Sequence, residues 1–303
     1  MRRVLLAAVL ALLAMATHAK DESAPQRWSY AVLLDRSADD VERAEHLSRL
    51  EAWAARGDRD SRYLLGTLYR LGDDHPSRLL ERDLDKAAAL LGHAALAGSL
   101  PAMAGLAETE LAADRPLAGM MWAQAFVNFT ERYGMENPDS SRAYEAWLIH
   151  RLSEDMKRMH DAPDEQEVRE TFNGFLQTHG VRIVEALERN APREEPSQEF
   201  AEPPQHRLRP VGSSGGLMMG NNMSWRMDKR PREPGFAHYL IGVRADGKVE
   251  DVLVIDSAPE GRIATGMKRQ VLLQRFNEAP EGTPTRWTAM AMYFDDGSAS
   301  LRK

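Results

Sequence analysis

The fold of the C-terminal part is decided by residues 236–256, which read FAHYLIGVRADGKVEDVLVID. The two halves of this stretch, Phe236 to Arg244 and Val249 to Asp256, are rich in aromatic and β-branched residues, which favour strands. Between them lies ADGK, from Ala245 to Lys248, a composition typical of a tight turn. The stretch therefore predicts a β-hairpin.

Two further elements are predicted after the hairpin. Apolar residues recur at helical spacing and predict one amphipathic helix, which would carry Ile263, Met267, Val271, Leu272 and Phe276. A last strand is predicted from WTAMAMYF, residues 287–294, with alternate side chains on opposite faces. The order β-β-α-β predicts a small α+β domain over residues 236–303, with one helix on a three-stranded antiparallel sheet.

The predicted last strand has one face with Thr288, Met290, Met292 and Phe294, and another with Trp287, Ala289, Ala291 and Tyr293. A three-stranded sheet has two edges with unpaired backbone groups, and an extended peptide can add a strand to such an edge. In the alternative interpretation, Trp287 and Tyr293 only pack on the linker or on the partner face of a dimer.

Several short motifs in this segment occur in a recognisable order. They are VRADGKV (243–249), Val252, Val254 and Ser257, then Arg275-Phe276-Asn277 with Ala279, Gly282 with Pro284, and the strand that ends at Phe294. Together they resemble the C-terminal domain of TonB energy transducers. The resemblance implies that the last strand receives the partner, on the residues Arg286, Trp287, Thr288, Ala289, Met290, Ala291, Met292, Tyr293 and Phe294.

Residues 41–190 follow a helical pattern that repeats. Gly57 and Gly98 are 41 residues apart, and so are Leu65 and Leu106. Each glycine follows a small-residue helix end, where a left-handed conformation ends the helix at little cost. One helical hairpin cannot bury its apolar face alone, so the repeat predicts an all-α solenoid of stacked hairpins.

One unit of this repeat carries LGTLYRLG (65–72), then Asp85-Lys86-Ala87, then AALAG (94–98). Over roughly residues 44–130 it resembles the Sel-one-like repeat, a relative of the tetratricopeptide repeat. The resemblance implies a curved scaffold that binds proteins or peptides and carries no chemistry of its own. Its packing or partner face would include Leu65, Gly66, Tyr69, Ala94 and Gly98. Two more charged helices, 142–159 and 165–188, would cap the solenoid.

Two further segments flank the helical repeat, a leader before it and a linker after it. Residues 1–19 combine a basic start, a short apolar run and small residues before Lys20, as in a cleaved signal peptide. A lead-in spans 20–40, and a Pro/Gly-rich linker spans 191–235. Cleavage would place the protein in the periplasm. Without cleavage the segment would anchor it in the inner membrane, facing the periplasm.

Composition excludes several function classes. The 303-residue chain has a net charge of −7, which gives general nucleic-acid binding no electrostatic support. It has no cysteine, so disulfides and thiolate chemistry are excluded. The spacing GVRADGK (242–248) matches a phosphate-binding loop, and GSSGG (212–216) matches a nucleophile elbow. Neither has the required strand-to-helix context, so no catalytic residue and no cofactor are predicted.

A cluster of thioethers precedes the last domain, at Met218, Met219, Met223 and Met227. Such ligands suit Cu(I), although adaptable packing is the commoner role of methionine.

The leading hypothesis is thus a non-enzymatic periplasmic adaptor that binds an extended segment by strand addition, with outer-membrane TonB-dependent transporters as candidate partners. The first alternative is a membrane-anchored transducer of the TonB type, and the second is a copper-handling protein.

Overall fold

A computed structural model describes residues 27–133, 138–190, 210–213, 233–259 and 261–294. The predicted leader, most of the linker and the four methionines lie outside these residues.

The first part of the described chain is helical. Its helices are α1 (Arg27–Leu34), α2 (Asp40–Ala55), α3 (Arg59–Leu71), α4 (Leu84–Leu96), α5 (Leu100–Ala112), α6 (Pro116–Tyr133), α7 (Pro138–Met156) and α8 (Glu165–Asn190), with a 3₁₀ turn at Gly72–Asp74. Consecutive helices from α1 to α7 pack on one another. α2 with α3, α4 with α5, and α6 with α7 therefore form three hairpins in sequence.

Local signals place the helix ends. Asp58, Asp83 and Ser99 each accept a hydrogen bond from a backbone N–H in the first turn of the helix that follows. Gly57 and Gly98 adopt φ of +99° and +82° just past α2 and α4, as the repeat predicted. Hairpin boundaries are thus set by caps that are visible in the sequence.

The long helix α8 lies across α4 and α6. Phe175 meets the ring of Trp122 edge-on with centroids 4.9 Å apart, and Asn190 donates to the carbonyl of Ala97 at 3.1 Å. A Cβ on Gly98 would lie 2.9 Å from the backbone nitrogen of Leu187, so this close approach requires glycine. α8 therefore covers the outer side of the helical part.

The second part is a small sheet. Its described elements are β1 (Pro210–Ser213), β2 (Gly235–Val243), β3 (Val249–Ala258), α9 (Gly261–Leu272), β4 (Gln274–Phe276) and β5 (Arg286–Phe294). β3, β2 and β5 form an antiparallel sheet in that order, with β2 in the centre. The predicted hairpin is confirmed: Gly247 has φ +74°, and Arg244 N–H donates to the carbonyl of Lys248 at 2.9 Å.

The structure corrects the predicted helix at its C-terminal end. α9 ends at Leu272, and Phe276 lies in β4. The backbone N–H of Phe276 donates to the carbonyl of Gly247 at 2.9 Å, and its side chain is buried. β4 also pairs with β1, four residues that the sequence analysis assigned to the linker. Pairing with distant backbone therefore overrides the helical spacing of Phe276.

The sheet is packed on both faces. On one face Ala237, Tyr239 and Ile241 of β2 form a core with α9. On the other face Phe236 and Leu240 belong to the core of the helical part. The sheet touches the second helix of each hairpin (α3, α5 and α7), and α1 also packs on it. The predicted fold class is confirmed at its coarse level, a helical part followed by a small three-stranded antiparallel sheet.

Candidate functional site: the two edges of the sheet

The predicted partner-binding residues, 286–294, form strand β5 at one edge of the sheet. Within the described ranges, β5 pairs with β2 alone, in a continuous antiparallel register from Val243↔Arg286 to Gly235↔Phe294. We call its outward side the β5 edge. The outward side of β3 is called the β3 edge.

Side chains of β5 alternate as predicted. Trp287 and Tyr293 pack against the core of the helical part, whereas Met290 and Met292 pack against the core under α9. Ala289 and Ala291 are exposed. α9 itself packs on β3 and β2. β5 is therefore anchored on both faces yet keeps exposed positions along its length.

Helix α7 lies over the C-terminal end of β5. The ring of Tyr144 meets those of Phe236 and Tyr293, at centroid distances of 5.2 Å and 6.4 Å. Burial and the charge of Glu145 raise the pKa of Tyr293 to about 12. Glu145 follows Tyr144 on α7 and is half-buried, and burial raises the pKa of its carboxyl group. A hydrogen bond with Ser141 and the charge of Arg142 oppose that rise in the pKa of Glu145.

A cation lies at the opposite end of β5. Arg286 donates through Nη2 to the carbonyl of Asn277 at 2.6 Å and to that of Arg244 at 3.2 Å. Burial lowers its pKa. Arg286 therefore ties the start of β5 to the residues that directly follow β2 and β4.

The β3 edge differs because the helical part closes it. Arg70 on α3 donates through Nη2 to the backbone carbonyl of Ser257 at 2.9 Å and to the side chain of Asp256. His75 lies against the backbone of Val254 and Ile255. These groups occupy the positions that an added strand would need.

Asp256 is the centre of a buried polar network. It is fully buried, and Tyr63 Oη donates to its Oδ2 at 2.8 Å while lying 3.3 Å from Nδ1 of His238. Burial, then the charge of Asp256, raises the pKa of Tyr63 well above its usual value. The register moves from Tyr239↔Val254 to His238↔Asp256, so β3 carries an extra residue that turns Asp256 toward α3.

A second buried carboxylate lies beside this network. Glu108 on α5 accepts hydrogen bonds from Tyr144 Oη at 3.0 Å and from Arg151 at 2.8 Å. Burial and Glu108 raise the pKa of Tyr144 well above its usual value. The two buried carboxylates at the interface between the helical part and the sheet, Asp256 and Glu108, are thus each paired with an arginine.

The start of the β3 edge is closed by the sheet's own chain. Lys248 forms a β-bridge with Arg275, and the N–H of Ala279 donates to the carbonyl of Ala245 at 2.8 Å. A Cβ on Gly247 would lie 2.2 Å from the carbonyl oxygen of Phe276. The β3 edge is thus covered at both ends.

The five candidate residues of the helical repeat are mostly packing positions. Leu65 and Ala94 are buried, and a Cβ on Gly66 would lie 2.8 Å from Leu91. Gly98 lies under α8. Tyr69 is half-buried, with Lys86 Nζ 5.0 Å from its ring centroid. Only Tyr69 of the five offers a partner a sizeable side-chain surface.

The cleft at the junction of the two parts has a volume of about 910 Å³. It opens between α3, α7 and the start of α9, away from β5, and its rim mixes Arg36, Arg78 and Arg82 with Asp73 and Asp74. In the part of the chain that the structure covers, no cluster of three or more His, Asp or Glu side chains could hold a metal ion. The same residues contain no helix long and apolar enough to cross a membrane.

Sequence reasoning missed the network around Asp256. A signal existed, because Tyr63 and Arg70 are seven residues apart and share one helical face, and Asp256 follows a buried apolar run. Their mutual contact depends on the docking of the sheet, which no local pattern encodes.

Comparisons of the chain with family models, with curated proteins and with solved structures gave no match.

Proposed function

We propose that this protein is a non-enzymatic adaptor that binds an extended segment of another protein by strand addition to the β5 edge. One observation carries the proposal: β5 pairs with β2 alone in the described residues, whereas the β3 edge is closed by Arg70, His75 and the chain around Arg275. An edge strand of nine residues offers enough backbone for a specific ladder.

The surroundings of β5 support selectivity. The side chains of Met290 and Met292 on β5 are partly exposed, and methionine adapts to differently shaped apolar side chains. On the opposite face α7 limits the space near Tyr293. An added strand would thus meet an apolar surface on one side and a helix on the other.

The helical part would act as a scaffold, an α-solenoid of Sel-one-like repeats. Its second helices are engaged by the sheet, and α4 and α6 are covered by α8. This packing supports a role in presenting the sheet.

The proposed setting is the periplasm, reached through a cleaved signal peptide, and the proposed partners are extended segments of outer-membrane TonB-dependent transporters. Mass spectrometry of the mature N-terminus tests the setting. A chain beginning at Lys20 supports it, and an intact Met1 favours the membrane-anchored transducer.

Strand addition is tested with the full mature chain and synthetic transporter N-terminal peptides that are N-methylated at alternate residues. Only alternate N–H groups of an added strand face β5, so one methylation pattern should abolish binding and the other should leave it within a few-fold. Amide shifts in residues 286–294 report where the peptide binds.

The two methylated peptides have the same composition and serve as each other's control. Equal binding of both patterns, or shifts confined to the helical part, would contradict strand addition. Because the chain has no cysteine, Ala291→Cys provides a unique attachment site for a second measurement. Cross-linking of this variant to peptides with one cysteine should then select a single register.

A further inference from the structure

Backbone hydrogen bonds at the hairpin fix the direction of the backbone groups in β2. The N–H of Arg244, which directly follows β2, donates to the carbonyl of Lys248 on the β3 side of the turn at 2.9 Å, so Arg244 points towards β3. In an antiparallel strand, the N–H and C=O of one residue point to the same side, and successive residues point to opposite sides. Both irregularities of the β2–β3 register add a residue to β3 and leave β2 regular. The odd-numbered residues of β2, from Val243 back to Gly235, therefore point towards β5.

The same alternation continues on β5. Val243 pairs with Arg286 and Gly235 with Phe294, in a register without a break. The β5 residues that exchange hydrogen bonds with the odd-numbered residues of β2 are thus the even-numbered ones, Arg286, Thr288, Met290, Met292 and Phe294. The other residues between them point their backbone N–H and C=O groups away from β2, and they are Trp287, Ala289, Ala291 and Tyr293. We call these outward backbone groups the outward ladder.

The inner part of the outward ladder is accessible, and its two ends are held in place. Ala289 and Ala291 are exposed, and within the described ranges β5 pairs with β2 alone. The side chains of Trp287 and Tyr293 pack against the core of the helical part, and the ring centroid of Tyr293 lies 6.4 Å from that of Tyr144 on α7. A regular strand that is anchored at both ends offers evenly placed donors and acceptors to an added strand.

We infer that the bound segment is held by the outward ladder alone and pairs with it over seven residues, the span from Trp287 to Tyr293. This inference rests on the proposed function, because it specifies the partner at the same strand. The even-numbered residues of β5 have their backbone groups engaged by β2, so they meet the segment only through their side chains. Proline lacks an N–H group, so the partner carries no proline at the residues that donate to the ladder. The partner is thus an extended segment that is recognised mainly through its main chain.

The length of the paired segment is tested with synthetic peptides of alternating valine and threonine that have five, seven or nine residues, blocked termini and a neutral ethylene glycol tail. Binding to the full mature chain is followed by fluorescence anisotropy and by amide shifts of β5. The dissociation constant should improve about tenfold from five to seven residues, because one more residue of the peptide pairs with the ladder. From seven to nine residues it should improve by less than about threefold, because no further outward group of β5 is reached.

The ladder itself is tested by removing one N–H group at a time from the protein. Replacing Ala289 or Ala291 by lactic acid through nonsense suppression exchanges the backbone N–H for an ester oxygen and leaves the side chain unchanged. Each replacement should weaken binding of the seven-residue peptide about threefold to tenfold, the usual contribution of one hydrogen bond. Ala237 on β2 is the matched control, because its N–H points towards β5, where it pairs with Met292. Lactic acid at this position should lower the urea midpoint of unfolding but change the dissociation constant by less than about twofold.

The outcomes distinguish this inference from the proposed function, which has its own test in the N-methylated peptides. If one methylation pattern abolishes binding but the esters at Ala289 and Ala291 have no effect, strand addition holds and the outward ladder is refuted. An equal loss of affinity with the ester at Ala237 refutes it as well, because a loosened β5 would then explain the result. Affinity that keeps rising tenfold from seven to nine residues refutes the inferred length. If no peptide binds, or if the mature chain instead self-associates through the same amides, the proposed function and the inference fail together.

Discussion

The two edges of the sheet have the same backbone chemistry but different surroundings. Along the β3 edge, the carbonyl of Ser257 accepts a hydrogen bond from Arg70, and His75 covers Val254 and Ile255. Along the β5 edge, Ala289 and Ala291 are exposed and β5 pairs only with β2 in the described residues. An edge becomes a binding site when the rest of the fold leaves it uncovered. The helical part thus closes the β3 edge, whereas none of its described residues pairs with the backbone of β5.

The largest effect is expected from breaking the buried pair at the β3 edge. Arg70→Met leaves Asp256 charged, fully buried and without its cationic partner. We expect a loss of about 3–5 kcal/mol in the free energy of unfolding. Urea denaturation followed by circular dichroism measures it.

The matched control is the double variant Arg70→Met with Asp256→Val, which removes both charges. It should be more stable than Arg70→Met alone, because no unpaired charge remains in the core. If the double variant loses as much as the sum of the two single variants, the pair does not hold the sheet to the helices.

The next effect is a pH dependence that comes from His75. Burial lowers its pKa to about 4, and Ser77 N–H donates to its Nδ1 at 3.1 Å, as a neutral imidazole requires. The unfolded state binds the proton near pH 6.5, so between about pH 6.5 and 4 unfolding takes up a proton. The stability contributed by neutral His75 is therefore present above pH 6.5 and is lost as the pH falls, by about 3 kcal/mol in total.

The variant His75→Gln isolates this contribution from that of the carboxylates. The difference in urea midpoint between the parent chain and His75→Gln should change across this pH range and be constant above pH 7. Parallel profiles for the two proteins would mean that His75 does not titrate on unfolding in this range.

Features that depend on neighbouring residues in the sequence were predicted, whereas features that depend on contacts between distant parts of the chain were not. The hairpin, the alternation along β5 and the glycine ends of the helices follow from local patterns, and each was predicted correctly. Phe276 was placed in the helix because its spacing fits, yet a hydrogen bond to Gly247 places it in β4. Helix α1 has no counterpart in the prediction. It lies before the first repeat in the sequence. Its packing partners include the strands of the sheet, about 200 residues later in the chain, which no local pattern indicates.

The sequence predicted the strand that forms the candidate site but not the surroundings of that strand. Residues 286–294 were selected by resemblance and pattern, and the structure places them at an edge. Nothing local to β5 indicates that Tyr144 on α7 lies beside it, more than 140 positions earlier in the chain. Contacts of that range depend on how the sheet docks.

A third test uses the turn that closes the start of the β3 edge. Gly247→Ala places a Cβ 2.2 Å from the carbonyl oxygen of Phe276 at a φ of +74°. We expect the free energy of unfolding to fall by about 2 kcal/mol, because the fold must accommodate both the strained backbone and the close contact.

Gly282→Ala is the matched control, since Gly282 has φ +84° but no atom within 4 Å of the added Cβ. This variant should lose about 1 kcal/mol in the free energy of unfolding, which is the cost of placing alanine at a positive φ. Equal losses for the two variants would indicate that the turn does not press against β4.

The smallest effect is expected at the β5 edge, and it concerns binding more than stability. Ala289 is exposed on the face of β5 that also carries Tyr293. Changing it to lysine or glutamate should alter the free energy of unfolding by less than about 0.5 kcal/mol. For a peptide whose lysine lies opposite residue 289, Ala289→Glu should strengthen binding and Ala289→Lys should weaken it, each by about twofold to fivefold.

The opposite signs of these two changes are the critical result. Both variants lengthen the same side chain, so a steric effect would move both affinities in one direction, and only a charge effect moves them apart. If both variants bind the peptide more weakly, the bound segment covers Ala289 and leaves no room for a longer side chain. The added strand would then pack on the face of β5 that carries Trp287 and Tyr293.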